Sequence, residues 1–105
     1  MRILKELIEK ANDTMEEVEW YGEQAHHLRP EHKELADTYI EIADMHVKIY
    51  NMLHSRMVAL IDNEKKKGVP VPQEMQAIWD YEHKNMIKEF AEAKYMIDEY
   101  RKMGY

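Results

Sequence analysis

The sequence predicts an all-α protein, an up-down-up antiparallel three-helix bundle with a long central helix. Apolar residues recur at spacings of three and four along three segments, and this is the period of an α-helix. The chain of 105 residues has only 3 Gly and 3 Pro, too few for the many hairpin turns of a sheet protein. Its length suits one hydrophobic core, so residues 1–105 are expected to form a single domain.

The first helix is predicted over about residues 3–28. Its buried seam is Leu4, Ile8, Ala11, Met15, Val18, Gly22 and Ala25. The helix should end at Arg29, because Pro30 disfavours helical geometry in the residue before it. Such a short break predicts an antiparallel helical hairpin.

The second helix is predicted over about residues 31–67, and it has two adjoining apolar stripes. One stripe is Leu35, Tyr39, Ile42, His46, Ile49, Leu53 and Leu60. The other is Ala36, Ile40, Ala43, Val47, Tyr50, His54, Met57 and Ile61. An apolar arc of this width indicates packing against more than one neighbour. Gly68, followed by Pro70 and Pro72, should end the helix.

The third helix is predicted over about residues 73–103. Its inner stripe is Met75, Trp79, Met86, Phe90, Ala93, Ile97 and Tyr100. The second helix should extend beyond the first by about 8 residues, or roughly 12 Å at 1.5 Å per residue. We therefore expect a thinly covered apolar end, formed by Leu60, Ile61, Met75, Ile78 and Trp79. Together with an outward-facing Trp20, this end predicts a homo-oligomer.

Composition narrows the functional classes. The net charge of −6, with His neutral, argues against non-specific binding of nucleic-acid backbone, which requires clustered Lys and Arg. The absence of Cys excludes disulfides and thiol nucleophiles. No apolar run approaches a membrane span, and the first residues contain no signal-like apolar region. We expect a cytoplasmic protein without a membrane partner.

Several polar residues fall where side chains should be buried. His46 and His54 lie on the apolar stripes of the second helix, and Glu82 interrupts the inner stripe of the third. We predict a structural polar core in which His54 pairs with Glu82. Glu23 and His26 have the Glu-x-x-His spacing of di-iron bundles, but a second such motif is missing. We interpret those two residues as part of a solvated helix face.

Acidic pairs give one defined enzymatic alternative. Glu16 and Glu19 form Glu-x-x-Glu, and Glu41 and Asp44 form Glu-x-x-Asp. These motifs, with residues 34–40, resemble the all-α nucleoside-triphosphate pyrophosphohydrolases. The resemblance implies that the four carboxylates bind Mg²⁺, which suits hard oxygen ligands. Glu41 and Asp44 also lie on the polar stripe of the second helix, where solubility alone places acids.

Residues 15–21, 32–37, 77–83 and 90–95 resemble small uncharacterised helical proteins of Gram-positive phages and prophages. The resemblance supplies no catalytic residues. It implies a phage-encoded protein in the host-cell cytoplasm, where small acidic proteins inhibit host defence by binding a protein or by sequestering a nucleotide signal.

We therefore expect a non-catalytic binding module, a homo-oligomer that acts on a host protein. Exposed aromatic residues with charged neighbours are the usual energetic centres of interfaces. The predicted binding residues are Trp20, Glu16, His27, Trp79 and Tyr81. Two alternatives stay open: the Mg²⁺-dependent pyrophosphohydrolase, and a sponge for a small nucleotide. In the sponge, Trp or Tyr would stack on the base while Arg29, Arg56 or Lys65 contacts phosphate.

Overall fold

The computed structural model describes residues 2–68 and 70–103 and confirms the predicted three-helix bundle. Helix α1 is Arg2–Leu28, α2 is Lys33–Lys66 and α3 is Gln73–Met103, and the described residues contain no strand. The bundle is a rod of 56 × 20 × 17 Å. None of the described helices combines the length and the apolar character needed to cross a membrane.

Two short connections reverse the chain. After α1, the main-chain N–H of His32 donates to the carbonyl oxygen of Leu28 over 2.7 Å and closes the first turn. After α2, Gly68 adopts a left-handed conformation with φ of 71°. Its N–H donates to the carbonyl oxygen of Lys65 over 3.1 Å. Because only glycine adopts this conformation without steric cost, Gly68 ends α2 as the sequence predicted.

Small side chains determine how closely α1 and α2 pack, and this pair has the most extensive contact in the bundle. Ala11 and Ala25 on α1, like Ala36 and Ala43 on α2, have no exposed surface. A methyl side chain lets two helix backbones approach closely along a continuous line of contact. The α1–α2 hairpin is therefore the unit on which α3 packs.

Polar contacts join the end of α3 to the start of α2. The Tyr100 hydroxyl donates to Asp37 over 2.8 Å, and Arg101 donates to Glu41 at 2.9 Å and Asp44 at 3.3 Å. Burial and the bond to Asp37 raise the pKa of Tyr100 to about 12. These bonds set the register of α3 against α2.

Arg29 binds the carboxyl-terminal end of α3 from the first connection. Its guanidinium donates to the main-chain oxygen of Tyr100 over 3.1 Å and to that of Met103. It also lies over the Tyr100 ring, 4.8 Å from the ring centre. Since the last carbonyls of a helix have no partners within that helix, a cation here satisfies them and complements the helix dipole.

The far end of the bundle is better covered than the sequence predicted. Ile61, Met75 and Trp79 are all buried, because the first turns of α3 pack over the last turns of α2. The expectation of a thinly covered end was wrong for these three residues. Leu60 is half-buried, and Ile78 keeps 38% of its surface exposed.

Replacing Ala43 with Leu tests the close packing of α1 and α2. The larger side chain has no space in a fully buried position, so overpacking should lower the free energy of unfolding by about 1–3 kcal/mol. Urea denaturation followed by circular dichroism measures the change. Ala91→Leu on the exposed surface of α3 is the matched control and should have little effect. Equal stabilities for the two variants would contradict the proposed packing.

Candidate functional site

A groove between α1 and α3 is the candidate site, and it has a volume of about 330 Å³. We call it the acidic groove. Its residues are Met15, Val18, Glu19, Gly22, Glu23, His26 and His27 from α1, and Glu89, Glu92, Ala93 and Met96 from α3. The volume is at the lower end of the range for ligand sites in proteins. The groove therefore suits a small group or the side chains of a narrow segment.

The floor of the groove is apolar. Met15, Val18 and Ala93 are buried there. Gly22 allows the Met96 side chain to lie against the α1 backbone, since a Cβ at residue 22 would be only 2.8 Å from the Met96 sulfur and still closer to its methyl group. Methionine is flexible and polarisable, so this floor can adjust its shape to an apolar group.

The rim of the groove is negatively charged. Glu19 and Glu23 lie on the α1 side, and Glu89 and Glu92 lie on the α3 side. Burial and the charge of Glu19 raise the pKa of Glu89, although a long 3.5 Å hydrogen bond from the Tyr50 hydroxyl opposes the shift. Carboxylates facing one another across an apolar floor favour a cation and disfavour a phosphate.

Two histidines lie at the end of the groove nearest the first connection. His26 Nδ1 donates to the carbonyl oxygen of Gly22 over 2.9 Å, and the ring meets Tyr100 edge-on at 5.5 Å. His27 is exposed and also lines the groove. The interpretation of Glu23 and His26 as a plain solvated face was thus incomplete, because both border a concave site.

The five predicted binding residues do not form one surface. His27 lines the acidic groove, whereas Glu16 and Trp20 lie exposed on α1 outside its lining. Tyr81 is 66% exposed near the start of α3. Trp79 lies on the inner stripe of α3 as predicted and is only 5% exposed, so its selection as an exposed binding residue was wrong. Position 79 faces α2 and belongs to the core.

Trp20 is held against its neighbours while half of its surface stays exposed. Its ring meets Tyr21 edge-on at 5.0 Å and lies 5.8 Å from the ring of Tyr39 on α2. Aromatic contacts of this kind fix the ring without burying it. Trp20 therefore presents a rigid apolar edge where α1 meets α2.

In the predicted polar core, His54 contacts a different residue from the one expected. His54 Nε2 is buried without a hydrogen-bond partner, and no bond forms between the described side chains of His54 and Glu82. The prediction of that pair was wrong. His83 faces His54 instead, with ring centres 4.9 Å apart, and Trp79 stacks on His83 at 4.7 Å. The spacing of Trp79, His83 and Met86 places residue 83, rather than 82, toward α2.

His46 is half-buried and hydrogen-bonded within its own helix. Its Nδ1 donates to the Ile42 carbonyl oxygen over 2.9 Å, and its ring lies 5.7 Å from that of Tyr21. These contacts are those of a structural residue between α1 and α2.

The four carboxylates of the enzymatic alternative are not assembled into a metal site. Arg101 binds both Glu41 and Asp44, Glu19 lies on the rim of the acidic groove, and Glu16 is exposed. In the part of the chain that the structure describes, no group of three or more His, Asp or Glu is arranged to hold a metal ion. The residues present therefore do not fit the Mg²⁺ site that the resemblance implied.

Comparison of the chain with protein-family models, curated proteins and solved structures finds no match. The geometry of the chain is thus the basis for assigning a function. Glu89, Glu92 and Met96 of the acidic groove were missed in the sequence, because nothing in the periodicity shows which residues of α3 lie opposite α1.

The His54–His83 contact predicts a pH-dependent stability. Burial and the neighbouring His83 lower the pKa of His54 below its ordinary value of 6.5. The unfolded chain therefore takes up the proton more readily, and stability should fall as the pH drops below about 6.5. Between pH 7 and pH 5, we expect the melting temperature of His54→Leu to fall by a few degrees less than that of the native protein.

Thermal melts followed by circular dichroism at several pH values measure this difference. His32→Leu is the control, because His32 is exposed and its loss should leave the pH dependence unchanged. Parallel pH profiles for the native protein and His54→Leu would disprove the role of the histidine contact.

The raised pKa of Glu89 predicts the opposite dependence of stability on pH. Its pKa is raised, so its contribution to stability is complete below about pH 4.5 and is lost as the pH rises through its folded-state pKa. Glu89→Gln should therefore melt a few degrees higher than the native protein at pH 7, with the gain shrinking toward pH 4. Differential scanning calorimetry at both pH values measures the gain. Glu9→Gln, an exposed position on α1, is the control. A gain that is the same at both pH values would count against the electrostatic origin.

Proposed function

We propose that this protein is a non-catalytic binding module whose acidic groove receives a basic, amphipathic segment of a partner protein. The observation that carries the proposal is the apolar floor enclosed by four carboxylates, Glu19, Glu23, Glu89 and Glu92. An apolar floor binds aliphatic or aromatic side chains, while the rim attracts Lys or Arg on either side of them.

The length of the groove matches one short helix, whose anchor side chains would enter it. Lining residues on α1 run from Met15 to His27, which corresponds to roughly 18 Å or about three helical turns. An amphipathic helix in a hydrophobic groove is a recurrent mode of recognition, with anchors three and four residues apart. Met15 and Met96 give the floor the adaptability that such recognition uses.

The resemblance to phage proteins supports a host protein as the partner, and inhibition of a host-defence factor is the role that fits such a context. The alternatives have less support from the geometry. A nucleotide sponge needs cations for phosphate, but the rim is negative and Arg29 is bound to the carbonyls of α3. A pyrophosphohydrolase needs Glu41 and Asp44, which are bound to Arg101.

Binding of a designed peptide tests the chemistry of the groove. The probe is an amphipathic helical 15-residue peptide of Leu and Lys, and the control peptide has Glu in place of Lys. We expect the basic peptide alone to bind, with an affinity that falls as salt is raised, because exposed charge pairs are screened. Isothermal titration calorimetry at low and high salt measures both effects.

A matched pair of protein variants locates the site. Neutralising Glu19, Glu23, Glu89 and Glu92 together as Gln should weaken binding of the basic peptide about tenfold, since four charge pairs of about 0.3–0.5 kcal/mol each are lost. Neutralising four exposed acids away from the groove gives a control variant with the same net charge as the groove variant. This control should weaken binding of the basic peptide less. These control positions are Glu9, Asp62, Glu74 and Asp98.

Equal losses in the two variants would mean that only net charge attracts the peptide, and the groove would not be the site. Pyrophosphate released from nucleoside triphosphates with Mg²⁺ would favour the enzyme instead. Capture of a host protein by the native chain and the control variant, but not by the groove variant, would connect the groove to a physiological partner.

A further inference from the structure

One face of α2 is apolar and uncovered. Among the large hydrophobic side chains on it, Leu35 is 44% exposed, Met45 59%, Ile49 46% and Met52 68%. Ile42, which is half-buried, completes the row. We call Leu35, Ile42, Met45, Ile49 and Met52 the outer face of α2. The core of the bundle lies on another side of the helix, where Ala36, Ile40, Ala43 and Val47 are buried, so α2 carries more apolar surface than its two neighbours cover.

The spacing of this face is that of a helix-packing seam. From Ile42 to Met52 the steps are three, four and three residues, the a and d pattern of helices that pair side by side. Continuing the pattern places Thr38 between Leu35 and Ile42 and places Arg56 after Met52. A seam with this spacing is better suited to another helix lying along α2 than to a compact ligand.

We propose that a second copy of this chain covers the outer face, with the two α2 helices antiparallel about a two-fold axis near residue 47. Each copy exposes on the order of 500 Å² on this face when Trp20 at its edge is included, within the range that marks interaction sites. Two such faces bury on the order of 1,000 Å², which is the lower limit for a specific interface. In this dimer the outer face of one copy contacts the same face of the other copy, as a two-fold interface requires.

The charges beside the seam select the antiparallel orientation. Glu34 lies near the start of α2, and Arg56 lies toward its end. In the antiparallel arrangement, residue 56 is opposite residue 38 of the other copy, one helical turn from Glu34 of that copy. A parallel arrangement places Glu34 and Arg56 beside their own counterparts. Like charges in register are unfavourable, so the antiparallel pair is the stable one.

The dimer and the acidic groove are independent of one another. The groove is formed by α1 and α3, whereas no residue of the outer face lines it. A dimer that binds no basic peptide would leave this inference standing and overturn the proposed function, and a monomer that binds the peptide would do the reverse.

Sedimentation equilibrium of the native chain and two variants tests the interface. We expect the native protein to have twice the 12.7 kDa chain mass at tens of micromolar. Ile49→Glu places two carboxylates in the seam of each dimer and should weaken association by about 30-fold or more. Ile87→Glu on α3 is the matched control, because Ile87 is also an exposed isoleucine, at 55%. Circular dichroism verifies that both variants are folded.

Introduced cysteines test the orientation, because the chain has no Cys of its own. A tagged Thr38→Cys chain is mixed with an untagged Arg56→Cys chain under mild oxidation. The antiparallel dimer predicts disulfides between the two different chains and few between identical chains. Three results would overturn the proposal. The native protein could be a monomer, or Ile87→Glu could weaken association as much as Ile49→Glu does. Thr38→Cys chains could also form disulfides mainly with one another.

Discussion

The close contact between α1 and α2 is the constraint on which the rest of the molecule depends. Alanines with no exposed surface, including Ala11, Ala36 and Ala43, leave room for the two backbones to approach closely. Because α2 is longer than α1, α3 completes the cover over the last turns of α2. The packing of the first two helices thus determines both where α3 must lie and which face of α2 stays uncovered.

The position of α3 results from apolar contact at its start and polar contact at its end. Trp79 is buried against the last part of α2, while Tyr100 and Arg101 bond to acids near its beginning. Contact between α1 and α3 is the least extensive of the three helix pairs. The acidic groove is the space that this arrangement leaves between them, with Gly22 and Met96 at the point of close approach.

The acids of this protein have separate physical roles. Asp37, Glu41 and Asp44 hold α3 through hydrogen bonds, so their charge is used within the fold. Glu19 and Glu89 face one another at the groove, where burial and the repulsion from Glu19 raise the pKa of Glu89. A cationic group entering the groove would relieve that repulsion, which links the electrostatics of the bundle to the binding role proposed for it.

The sequence alone determined the number, type and approximate limits of the helices, because the spacing of apolar residues and the positions of Pro and Gly are local properties of the chain. The predicted start of α2 at residue 31 differs from Lys33 by only two residues. Tertiary structure decided the rest: that His83 and not Glu82 contacts His54, and that Arg101 binds two of the acids predicted to hold Mg²⁺. A one-residue difference rotates a helical side chain by about 100°, and the rotation and height of one helix against another come only from their packing.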